Sequence, residues 1–127
     1  MQIERIDHLV LTVQDIGRTC AFYERVLRMQ IVTFGDGRKA LQFGSQKINL
    51  HAVGKEFEPK ALKPVAGSAD LCFLTSLPVN QVIEHFRACA APIIEGPVRR
   101  TGATGTLLSV YIRDLDGNLI EVANAIA

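Results

Sequence analysis

Apolar and polar residues alternate along "RIDHLVLTV", a stretch rich in branched side chains, and this predicts a strand over residues 6–13. The period then lengthens. Over "IGRTCAFYERVLRM", Ile16, Cys20, Phe22 or Tyr23, and Val26-Leu27 recur at helical spacing behind Asp15, a residue suited to an N-cap. Three short strands follow in "MQIVTF", "KALQFG" and "KINLHAV", separated by the turn-like "GDGR" and "GSQ". The same order of elements then returns. "ADLCFLTS" predicts a strand, "VNQVIEHFRACA" a helix with Pro78 at its first turn, and "PIIEGP", "TLLSVYIR" and "NLIEVANA" three further strands. Between the halves, "GKEFEPKALKPVAGS" is polar and carries Gly54, Pro59, Pro64 and Gly67, a composition that suits a surface linker.

The pattern predicts an α+β fold: one domain over residues 1–127 made of two βαβββ modules, at about 1–57 and 66–127. Each module would be a curved mixed sheet with a helix on one face. The opposite face is left open, and a ligand would sit there.

Composition narrows the function. The chain has 127 residues, 48% of them apolar, enough for a real core. A formal charge of +1 and scattered basic residues give no broad field for nucleic acid or an anionic membrane. No apolar run is long enough to span a bilayer, and the charged start "MQIERIDHLV" lacks a signal-peptide core, so a cytoplasmic protein is expected. Cys20, Cys72 and Cys89 are odd in number and far apart, and read as small buried hydrophobes.

Four ionisable residues interrupt the strand patterns at comparable places in the halves. His8 and Asp70 open the first strand of each module, while His51 and Glu121 lie in the last. Counting by twos puts His8 with Val10 and Thr12, Asp70 with Cys72 and Leu74, His51 with Asn49, and Glu121 with Leu119 and Ala123. If these faces converge, two imidazoles and two carboxylates suit a divalent transition metal, with positions left for water or substrate. Taken singly, His51 reads more readily as an exposed or satisfied core residue than as a ligand, and Asp70 reads equally as a strand cap or end. Glu121 stands out because an unpaired charge among apolar neighbours is costly. His85, beside Glu84 and Arg87, reads as part of a solvated helix face.

These residues carry a family likeness over nearly the whole chain. "IDHLVLTVQDIGRTCAFYERVLRMQ" resembles the opening of the vicinal oxygen chelate superfamily, which includes glyoxalase I, fosfomycin-resistance proteins and extradiol dioxygenases. "YIRDLDGNLIEV" resembles its closing strand, and "FGSQKINLH" with "EGPVRRTGATG" is most similar to small glyoxalase-like proteins such as glyoxalase domain-containing protein 5 and bacterial virulence-associated relatives. The resemblance implies paired modules around a metal cleft, a homodimer, and one divalent ion (Ni, Zn, Mn, Co or Fe). Its ligands would be His8, His51, Asp70 and Glu121, with Asp70 bound directly or through water. It further implies a lyase or isomerase, lactoylglutathione lyase-like, acting on a small substrate with vicinal oxygens, with Glu121 or Asp70 moving a proton. Thr12, Ser109, Tyr111, Arg99 and Arg100 would touch substrate, the two arginines from a mobile "RRTGATG" loop. Bacterial glyoxalase I has His, Glu, His, Glu where this chain has His, His, Asp, Glu, and an Arg where this chain has Thr12. The alternatives are a non-enzymatic module that sequesters a drug or metabolite, as bleomycin-resistance proteins do, and an extradiol-type dioxygenase using His8, His51 and Glu121.

Overall fold

The computed structural model describes residues Met1–Ala127. Its elements run β1 (His8–Val13), α1 (Ile16–Leu27), β2 (Gln30–Phe34), β3 (Arg38–Phe43), β4 (Gln46–Ala52), β5 (Asp70–Leu74), α2 (Val79–Ala88), β6 (Glu95–Thr101), β7 (Thr106–Arg113) and β8 (Leu119–Ala125). The fold is α+β, with two helices and two four-stranded mixed sheets. The chain divides into two compact units, Met1–Gly67 and Ser68–Ala127. No helix is long and apolar enough to cross a membrane.

In the first unit, Asp15 caps α1 by accepting the Arg18 N–H at 2.9 Å. Arg28 ends the helix in the left-handed region at φ 58°. The sheet order is β1-β4-β3-β2, with β1 parallel to β4 and the other pairs antiparallel. Leu11, Val13, Leu41, Ile48 and Leu50 are buried on one face, and α1 contributes Cys20, Phe22, Tyr23 and Val26 to the same core. That face is apolar because the helix removes it from water. The opposite face carries His8, Val10 and Thr12 of β1, and Lys47, Asn49 and His51 of β4 in register with them.

The second unit repeats the plan as β5-β8-β7-β6. Val110, Ile112, Ile120 and Val122 form its core with Val79, Val82 and Phe86 of α2. The turn before β8 is a closed hydrogen-bond network. Asp114 Oδ1 accepts the N–H groups of Asp116 and Asn118 at 3.0 and 2.9 Å, and Oδ2 accepts from Asn118 Nδ2 at 2.8 Å. Asn118 Oδ1 in turn accepts the Ala69 N–H at 2.9 Å, so the turn is tied to the residue that precedes β5. Gly117 supplies the positive φ, 89°, that the reversal requires.

The sequence misplaced one strand. The stretch "PIIEGP" was expected to be a strand, but β6 starts only at Glu95 and runs through Arg99 and Arg100 to Thr101. A bulge between Glu95 and Val98 interrupts the ladder where Pro97 has no N–H to give, and regular pairing resumes beyond it. Gly96 is required there, since a Cβ would lie 2.5 Å from the Ser109 carbonyl oxygen. The cysteine reading also needs correction. Cys20 is buried as expected, but Cys72 is exposed on β5 and Cys89 is half-buried at the end of α2. There its Sγ lies 3.6 Å from His85 Nε2, so His85 is not simply a solvated residue.

Candidate functional site

The register of the second sheet lines up four polar side chains. Glu121 on β8 pairs with Cys72 on β5 to one side and Tyr111 on β7 to the other, and Tyr111 pairs with Glu95 on β6. Paired strand residues share a face, so Cys72, Glu121, Tyr111 and Glu95 form one row on the side away from α2. Asp70 is two residues before Cys72, and so stands diagonally from Glu121 on the same face.

Glu121 is held in place by its neighbours. Ser109 donates its hydroxyl to Glu121 Oε2 at 2.6 Å. Ser109 is fully buried, so it anchors the carboxylate and does not present the substrate surface that the family resemblance implies for it. The Cys72 thiol is pushed up to about 11, chiefly by loss of solvent, then by the negative charges of Glu121 and Asp70. It is therefore a neutral thiol near pH 7 and a poor nucleophile. Burial also raises the Tyr111 phenol; the Arg100 hydrogen bond opposes this and the Glu121 charge adds to it.

Arg100 sits at the far edge of the row. Its Nε donates to the Tyr111 hydroxyl at 3.0 Å, and another guanidinium nitrogen pairs with Glu95. Arg99 pairs with Leu108 while Arg100 pairs with Leu107, so the two arginines alternate and Arg99 points to the opposite face. Both arginines lie on β6, not on a loop; the connection to β7 is only residues 102–105. Strand pairing on either side of Gly102, whose N–H donates to the Gly105 carbonyl at 2.7 Å, holds this reversal tight. Beside it opens a cavity of ≈ 510 Å³, lined among others by Cys72, Leu74, Arg100, Leu107 and Glu121.

The first unit has a different arrangement. His8 opens β1 half-exposed, with Nδ1 2.8 Å from Asp7 Oδ2. His51 is buried near the end of β4 and pairs with Thr12, itself buried. His8 pairs with Lys47, so His8 and His51 are four register steps apart, roughly 13 Å along the sheet. The structure does not bring them together. The counterpart of Glu121 is instead Asn49: Cys72 is two residues after Asp70 and pairs with Glu121, as Val10 is two after His8 and pairs with Asn49. The two-histidine, one-carboxylate set of His8, His51 and Glu121 loses its geometric basis for the same reason.

His51 has other partners. Arg38 on β3 presents a guanidinium nitrogen 3.4 Å from His51 Nε2, and the Phe57 ring meets the imidazole edge-on at 5.5 Å between centroids. Desolvation lowers the His51 pKa, and the Arg38 charge lowers it further, so the ring is neutral and accepts at Nε2. Arg38 lies between two rings, 4.4 Å from the Phe57 centroid and 5.0 Å from that of Phe34. Sequence reading missed Arg38, Phe57 and Glu95. Alternation along "RKALQF" places Arg38 with Ala40, but only the register shows that both face the strand bearing His51.

Neither unit by itself gathers three His, Cys, Asp or Glu side chains placed to hold a metal ion. The second unit supplies a carboxylate pair, Asp70 and Glu121, with hard oxygen donors of the kind divalent ions take. As donors, these two residues fit part of a ligand set.

A model of the Glyoxalase/Bleomycin resistance protein/Dioxygenase superfamily matches residues 5–122. The chain is 61% identical over 123 residues to virulence protein STM3117 of Salmonella typhimurium, covering 97% of this chain and 85% of that protein. The crystal structure of that protein superposes with a TM-score of 0.98 over 99% of this chain and 100% of that one, at 60% identity. Glyoxalase domain-containing protein RDO1 of Mycosarcoma maydis is 52% identical over 124 residues, 98% of this chain and 70% of that protein. At the level of fold alone, the lactoylglutathione lyase of Agrobacterium tumefaciens matches with a TM-score of 0.75, at 23% identity over 98% of this chain and 96% of that one.

Proposed function

The chain belongs to the Glyoxalase/Bleomycin resistance protein/Dioxygenase superfamily, and from that premise we propose that it is a metal-dependent lyase or isomerase. Its substrate would be a small molecule with two adjacent oxygens. The observation that carries this reading is the Glu121 carboxylate, fixed by Ser109 on an open sheet face with Asp70 diagonal to it.

In this reading Glu121 and Asp70 would hold a divalent cation, and His8 is kept as the imidazole ligand that the family resemblance implies. His51 is left out of the set because Arg38 occupies its Nε2. A bound cation supplies Lewis acidity, polarising a carbonyl and lowering the cost of negative charge on oxygen. Glu121 moves a proton between neighbouring substrate carbons, and the Ser109 bond keeps one carboxylate oxygen in place as it does so. Tyr111, held by Arg100, orients a substrate oxygen along the same row. Arg99 is dropped from the substrate contacts because it faces the other way.

A homodimer is part of the proposal. Val10 and Leu74 lie on the faces away from the helices and are 45% and 64% exposed, apolar surface that a second copy would cover. Light scattering should then give twice the 13.9 kDa chain mass.

The central test is calorimetric titration of Mn(II), Ni(II) and Zn(II) into chelator-treated protein, followed by assay for lactoylglutathione formation from methylglyoxal and glutathione. Glu121→Ala and His8→Ala should weaken metal binding sharply, while His85→Ala leaves it unchanged. Equal losses at His85 would remove the ligand assignment. No turnover with any of the metals would move the substrate away from glutathione conjugates. Binding of small ligands by protein that takes up no metal would favour sequestration.

A further inference from the structure

The open face of the first sheet holds a charge with no counter-charge. No carboxylate lies within salt-bridge distance of the Arg38 guanidinium, whose Nε is buried without a hydrogen-bond partner. One NH2 nitrogen points at the neutral His51 imidazole, which offers a lone pair but no charge. The acid whose charge acts on this ring is Glu56, and it is otherwise engaged: Oε2 accepts the Gly54 N–H at 2.6 Å and Oε1 pairs with Lys60. A second polar atom on the same face is also unsatisfied. Asn49 is 7% exposed, and its Oδ1 is buried with no donor. The register places Asn49 opposite Ala40, two residues along β3 from Arg38 and two along β4 from His51. A buried donor and a buried acceptor left unpaired on one sheet face each carry a desolvation penalty.

We propose that Arg38, His51 and Asn49 form a binding site for a small carboxylate bearing a hydroxyl or amino group one or two bonds away. The carboxylate would pair with the guanidinium edge that includes Nε, the geometry in which Arg recognises carboxylates. The hydroxyl or amino hydrogen would go to Asn49 Oδ1. Phe34 and Phe57 hold the guanidinium between their rings, which fixes its plane without neutralising it. Phe57 is 47% exposed, so its ring borders the site on the solvent side. This site uses neither Glu121 nor Asp70, so the proposal stands or falls apart from the catalytic reading.

The test uses chelator-treated full-length protein and three matched probes: glycolate, acetate, which lacks the hydroxyl, and glycolamide, which lacks the charge. Binding is read from the His51 imidazole resonances during titration. Glycolate should shift them saturably, acetate should bind more weakly, and glycolamide should leave them in place. Arg38→Gln should weaken glycolate binding by about tenfold or more, the expected loss for a charge-assisted contact. Arg38→Lys, which keeps the charge but loses the forked donors, should recover only part of it. Asn49→Ala should remove the advantage of glycolate over acetate. Arg38→Met, which replaces the unpaired charge with an apolar chain, should fold with undiminished thermal stability while losing glycolate. Glycolate binding equally to wild type and Arg38→Gln, or no response of His51 to any carboxylate, would overturn the site. Equal affinity for acetate and glycolate would overturn the part assigned to Asn49.

Discussion

Ser109 on β7 donates a hydrogen bond to Glu121 on β8 at 2.6 Å, although the two are diagonal neighbours and not a register pair. The bond fixes which way the carboxylate turns. Ser109→Ala removes it and leaves the strand intact, and if Glu121 holds a metal as proposed, loss of this orienting contact should lower metal affinity by about ten- to a hundredfold. Calorimetry on the variant should show that drop with little change in melting temperature. An unchanged dissociation constant would mean the bond is only structural.

Asn118 closes the turn that delivers Glu121. It donates to Asp114 and accepts from the Ala69 N–H, so one buried side chain joins the start of β8 to the start of β5. Asn118→Ala leaves the Ala69 N–H without its acceptor and Asp114 Oδ2 without the amide donor, and should cost about 1.5–3 kcal/mol, the range for hydrogen bonds to a charged group. Urea denaturation measures it. A cost below about 0.5 kcal/mol would show that water replaces the amide.

His51 sets a pH dependence whose sign follows from its lowered pKa. In the unfolded chain it protonates near the ordinary imidazole value of 6.5, and in the folded chain only at lower pH. Between these values the unfolded state binds more protons, so stability falls as pH drops below about 6.5 and levels off beneath the folded value. Melting curves from pH 7.5 to 5 should show this loss, and His51→Gln should flatten it. An identical slope in the variant would assign the pH dependence to other groups.

Arg100 and Arg99 should differ in effect despite being adjacent. Arg100 is bound to Tyr111 and Glu95 in the Glu121 row, whereas Arg99 faces away. If methylglyoxal and glutathione are turned over at all, Arg100→Ala should lower kcat/KM by about tenfold and Arg99→Ala should leave it within a factor of two. The reverse order would show that the strand faces are misassigned.

The alternation in "RIDHLVLTV" and "NLIEVANA", the helical spacing after Asp15 and the D-G-N turn were enough to read two βαβββ units, because each reflects local geometry or burial of one face. Glu121 was readable for the same reason: a carboxylate between apolar neighbours marks the face of a strand. The strand after α2 was misread because "PIIEGP" is mostly apolar, yet pairing begins only at Glu95 and a bulge at Gly96-Pro97 defers the regular ladder to Val98.

Pairing between strands was beyond the sequence. His8 and His51 look equivalent to Asp70 and Glu121 when each is described as lying in a first or last strand. A shift of two residues in register makes Asn49 the counterpart of Glu121 and sends His51 to Arg38 and Phe57. Alternation fixes which face a side chain takes but says nothing about its position along a neighbouring strand. That position decided which polar residues met: Ser109 with Glu121, Arg100 with Tyr111, and Arg38 with a histidine in place of an acid.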